Sequence, residues 1–189
     1  MAETTHVGAR LAGLGFVAVL LQIAGVSQIH VLGVSADLSP LVVAGAGFLM
    51  GAVPGAVFGF GVGLFLDLAS AHTLGVSALL YLTVGYLAGR VRELRAPEAP
   101  VTPLVLGAAA TAFATCGYAA IEFLLGVSDP ISLLLVRGII VTIVLNSLLA
   151  LPVFAIVRRW LVPALPEDPR RRRRRRAYTT GGLSPLSRP

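Results

Sequence analysis

Three ionisable side chains sit inside otherwise apolar runs of this 189-residue sequence: Asp67 in the stretch GLFLDLASAHTLG, then Glu122 and Arg137. A charge at the centre of a hydrocarbon layer costs roughly 2.5–3.5 kcal/mol on insertion scales, so each calls for a partner or a function. The chemistry open to them is a buried ion pair, a proton relay or a polar substrate site. Glu122 lies about six residues before a polar turn and Arg137 about eight after it, a depth mismatch of about 3 Å at 1.5 Å per residue. That spacing predicts that Arg137 pairs with Glu122 in a network that Asp67 shares, acting mainly to lock helices together or to meet a partner. Asn146, beside Ser147 in the middle of the last apolar run, is predicted to bond across a helix interface for about 0.6–2 kcal/mol.

Catalytic signatures are missing. There is no lysine for a Walker loop, and neither GxSxG nor HExxH occurs. His6, His30 and His72 are far apart, and the single cysteine, Cys116, permits no intrachain disulfide and no metal-ligand spacing. We therefore expect no enzyme activity, no cofactor and no metal.

The elements that must position these groups follow from composition. The chain is 56% hydrophobic and 13% charged, with a mean hydropathy of +0.87. Repeated apolar runs of this kind suit a hydrocarbon slab of about 30 Å, which makes an all-α integral membrane protein the expected class. The runs fall at about 9–27, 39–53, 55–68, 74–89, 104–126 and 131–157. The first is longer than a usual signal core and lacks an A-x-A end, so it reads as a retained span. As one helix, residues 41–68 would measure about 42 Å, too long to cross without strong tilt, and Pro54 is the expected break.

Charge parity then sets the topology. Arg10, the group Arg90, Arg92 and Arg95, and Arg158 with Arg159 are expected on the cytoplasmic side, while the loops at 28–38, 69–73 and 127–130 hold no Lys or Arg. Four crossings must separate Arg10 from Arg90, so residues 39–68 cross twice, unless a re-entrant hairpin takes their place. The expectation is six transmembrane helices over residues 1–162 with both termini cytoplasmic. Asp129 and Pro130 cap the last helix, Pro152 predicts a kink near its inner end, and Trp160 anchors it at the interface.

Glycine recurs at every fourth position through Gly47, Gly51, Gly55, Gly59 and Gly63, with Gly85 and Gly89 adding one more step. Overlapping GxxxG steps predict backbones in close approach, without saying whether the facing helix is in this chain. Residues 163–189 read as a disordered cytoplasmic tail carrying Arg170, Arg171, Arg172, Arg173, Arg174, Arg175 and Arg176. At about 1 kcal/mol per arginine near an anionic leaflet, the run suits a tether to anionic lipid better than nucleic acid, or simply enforces topology.

The segment GFGVGLFLDLASAHTLGVSALLY, preceded by Leu20, Leu21 and Gln22 and followed by Glu122 and the Asn146 to Pro152 pair, resembles the MreD family. The resemblance spans roughly residues 10–160. It implies a multi-pass protein of the bacterial cytoplasmic membrane, with a six-helix fold similar to substrate-binding subunits of energy-coupling-factor vitamin transporters. It implies a scaffold role in the rod-shape or elongation complex that organises peptidoglycan synthesis. The partners it implies are an MreC-like bitopic membrane protein, a SEDS glycosyltransferase, a penicillin-binding transpeptidase and, indirectly, an MreB-like filament. The shared fold also implies the alternative of a vitamin-type transporter subunit, against which the scarcity of aromatics near Asp67, His72 and Glu122 weighs. The dense glycine ladder and the arginine tail depart from the family pattern.

Overall fold

The computed structural model describes residues 2–24, 30–31, 34–71, 73–94, 101–126 and 133–164. Among the described residues six α-helices carry the fold: α1 Ala2–Ala24, α2 Ser39–Met50, α3 Ala52–Ser70, α4 Val76–Leu94, α5 Thr102–Leu124 and α6 Leu133–Leu161. A two-residue antiparallel pair, β1 His30–Val31 with β2 Val34–Ser35, lies between α1 and α2, and a 3-10 turn, Val162–Ala164, follows α6. The Asp129–Pro130 cap, Arg95 and the arginine run lie outside the described residues, as does His72.

The outward faces are apolar. On α3 the exposed side chains include Val53, Val57, Phe60, Leu64 and Leu68, and on α6 Val136, Ile140, Val144, Leu148 and Leu151. These are helical stripes at three- and four-residue spacing, which water would not tolerate over such lengths. Helices α3 and α5, and α6 from Val136, are long and apolar enough to cross a bilayer. The molecule is a membrane protein on these grounds.

The interior is built around α2, which is buried from Ser39 through Phe48 and packs on the other five helices. Helix α2 is only 12 residues, about 18 Å at 1.5 Å per residue, so it occupies part of the depth that α3 traverses. The break between α2 and α3 falls at Gly51, three residues before the expected Pro54. Gly51 takes φ +103° and ψ 176°, a conformation essentially confined to glycine. Pro54 instead sits in the first turn of α3, where its missing N–H costs nothing because that position has no intrahelical acceptor.

The glycine ladder faces α4 of the same chain. A Cβ at Gly59 would stand 2.0 Å from the Tyr81 carbonyl oxygen, one at Gly63 2.4 Å from that of Ser77, and one at Gly55 2.6 Å from that of Gly85. Gly85 and Gly89 meet the backbone at Gly55 and at Gly51 to Ala52 in return. The ladder therefore zips the α2–α3 hairpin onto α4, with Gly51 serving as its joint and not as a helical rung. At that joint Arg92 donates to the Leu49 carbonyl, and Glu93 Oε1 accepts the Ala52 N–H at 3.3 Å.

Candidate functional site

The chain enters α2 through three residues, Ala36, Asp37 and Leu38, that are neither helix nor sheet. Irregular backbone inside a membrane bundle is stable only where protein groups satisfy its N–H and C=O. Two side-chain amides do this from opposite sides. Gln22 of α1 donates from Nε2 to the Ala36 carbonyl at 3.1 Å and accepts the Leu38 N–H on Oε1 at 2.8 Å. Asn146 of α6 accepts the Asp37 N–H on Oδ1 at 3.1 Å and donates from Nδ2 to the Asp37 carbonyl at 2.7 Å. The pattern imitates a neighbouring β-strand on each side of the segment.

Other helices complete the knot. Asn146 Nδ2 also donates to Thr111 Oγ1 of α5 at 3.1 Å, and both residues are fully buried. The Asp37 carboxylate accepts the Ser39 N–H on Oδ1 at 3.0 Å and the Tyr81 hydroxyl of α4 on Oδ2 at 3.1 Å. Asp37 thereby caps the first turn of α2, whose N–H groups lack intrahelical partners. Along α4, α5 and α6 this point lies roughly 14–18 Å from Arg90, Thr102 and Arg158, near mid-depth at 1.5 Å per residue.

From the knot a cavity of about 570 Å³ extends toward the bundle end opposite those arginines. Asp37, Tyr81 and Gln22 line it beside the knot, while Ser77, Tyr118 and Glu122 line it nearer the ends of α4 and α5. Glu122 is half-buried and lies one helical turn after Tyr118 on α5.

The residues singled out from the sequence are not brought together as expected. Arg137 is exposed and does not pair with Glu122; the ion pair found among the described residues is Arg90 with Glu93, at 3.0 Å. The reason is angular. Arg137 and Asn146 are nine residues apart, two and a half turns of α6, so once Asn146 faces the core Arg137 must face away. Asp67 is fully buried in the last turn of α3. Its Oδ2 accepts the Gly75 N–H at 2.8 Å and ties down the α3–α4 turn, while Oδ1 is buried with no hydrogen-bond partner. Helix α6 runs unbroken through Pro152, which is exposed.

Asp37, Tyr81 and Thr111 are the members of the knot that the sequence reading missed. The available signal was Asp37 itself, an acid two residues before a Ser–Pro helix start. Among the described residues, no group of three His, Cys, Asp or Glu side chains could hold a metal ion.

Comparison with known proteins places this architecture. No curated protein and no solved structure gives a significant match. A family model described as rod shape-determining protein MreD matches residues 11–160, from the middle of α1 to the end of α6, and the chain belongs to the MreD family.

Proposed function

We propose that the chain is a non-enzymatic membrane scaffold that helps determine cell shape by organising peptidoglycan synthesis within the elongation complex. The family match over residues 11–160 carries this reading. The use of the polar interior supports it: Gln22, Thr111 and Asn146 are engaged in holding helices and backbone in place. An MreC-like bitopic protein is its direct partner; a SEDS glycosyltransferase, a penicillin-binding transpeptidase and an MreB-like filament are reached within the same complex.

The chain crosses the bacterial cytoplasmic membrane six times with both termini inside, and the arginine run of the tail lies against anionic lipid. Depletion in a native host that grows as a rod, scored with co-purification of the MreC-like protein, tests the proposal. Rounded cells and a retained complex are expected. Rods that keep their shape, or a gene flanked by transporter ATPases with no such partner, would refute it.

A further inference from the structure

Helix α5 has two faces in its outer half. Thr115, Tyr118, Ala119 and Glu122, at three- and four-residue spacing, all line the cavity beside the knot. Phe113, Cys116, Ala120 and Phe123 are exposed on the outside of the bundle. Hydrocarbon suits the second face and not the first, because hydroxyl and carboxyl groups set against an apolar medium lose their hydration. The other walls repeat the pattern. Of the thirteen described residues that line the cavity, eight carry polar side chains, and these run from Gln22, Asp37 and Tyr81 at the knot to Ser70 and Glu122 near the helix ends.

Accessibility follows the same line. Gln22 and Asp37 keep part of their surface open although they stand near mid-depth, and so do Thr115, Tyr118 and Glu122 on the way out. From Ala114 to Glu122 the cavity wall covers eight residues of α5, about 12 Å at 1.5 Å per residue. At about 30 Å³ per molecule, its 570 Å³ has room for roughly twenty waters, with polar partners along the whole length. An acyl chain in the same space would lie against the Asp37 and Glu122 carboxyl groups, which hydrocarbon cannot solvate. Toward the arginine end, Ala46, Val84 and Ala88 are buried and apolar and close the bundle.

We infer that the cavity is an aqueous vestibule. Water enters it from the bundle end opposite the arginines and reaches the contact between Asp37 and Tyr81 near the middle of the membrane. The dry barrier is the inner half of the bundle, so the vestibule admits water and small polar solutes without letting them through. It does not depend on the scaffold reading, because none of its walls is an external protein surface.

The test uses the full chain in phosphatidylcholine nanodiscs and a membrane-impermeant, cationic methanethiosulfonate, which modifies a thiol where water lets it ionise. Ala114→Cys, combined with Cys116→Ala, puts a thiol on the cavity wall. The native Cys116 is exposed on the outer face of α5, two residues and about 3 Å nearer the outer end. The Ala114→Cys thiol should react at least tenfold faster than Cys116, reversing the order that depth alone would give, and adding Ala119→Trp should fill the path and slow it at least tenfold. Both thiols should react fully once the protein is unfolded in dodecyl sulfate. Ala119→Cys, nearer the mouth, makes the same comparison where Ala114→Cys does not fold. A cavity thiol no faster than Cys116, or a rate that Ala119→Trp leaves unchanged, would overturn the vestibule while leaving the depletion phenotype untouched.

Discussion

Gly59 and Gly61 sit two residues apart on α3, yet a methyl group added to each meets opposite conditions. At Gly61 a Cβ has nothing within 4 Å. Replacing it by alanine removes the entropic penalty of glycine in a helix, a gain of about 0.5–1 kcal/mol. At Gly59 a Cβ stands 2.0 Å from the Tyr81 carbonyl oxygen and 2.6 Å from its carbon, both backbone atoms. Helix α4 must retreat by about 1 Å before that contact reaches even the tightest approach real Cβ atoms show.

Such a retreat also carries Tyr81 away from Asp37, stretching a 3.1 Å hydrogen bond out of range. Overpacking costs about 1–3 kcal/mol, and the lost bond to a carboxylate adds about 1.5–3. The two variants should therefore differ by at least about 3 kcal/mol. At about 2–4 °C per kcal/mol for a chain of this length, that is a separation of roughly 6–12 °C. Thermal unfolding of Gly59→Ala and Gly61→Ala in one detergent, followed by loss of the monodisperse peak, measures it. Equal midpoints would refute the claim that the ladder is an intramolecular α3–α4 contact.

Asn146→Leu leaves the Asp37 N–H and C=O without their side-chain partner, at about 1–3 kcal/mol for each buried group, so the unfolding midpoint should fall and the Asp37 amide should exchange hydrogen faster. Asp67→Asn keeps an acceptor for the Gly75 N–H and should fold normally, whereas Asp67→Ala should raise protease cleavage in the α3–α4 turn; equal cleavage of both would refute the tether. Gly51→Ala has room for its methyl, the nearest atom being Glu93 Oε1 at 3.8 Å, so its cost is the backbone term alone, about 1–3 kcal/mol in an unfolding measurement.

The sequence alone determined the solvent and the elements. Long apolar runs, arginines crowded at their ends and glycine at every fourth position dictate a membrane helical bundle with at least one very close contact, because hydrocarbon penalises charge and unpaired backbone at every position. It also singled out Asn146, since a mid-span amide has no solvent to turn to. Only the tertiary structure decided which polar groups meet. Asp67, Glu122 and Arg137 were grouped by depth along the helices, but depth ignores rotation, and half a turn separates Arg137 from the core-facing Asn146. Asp37 was not singled out, because nothing local reveals that residues 36–38 sit inside the bundle. Its burial depends on Gln22, Tyr81, Thr111 and Asn146 arriving from four different helices, and such convergence is a property of packing that no stretch of sequence contains.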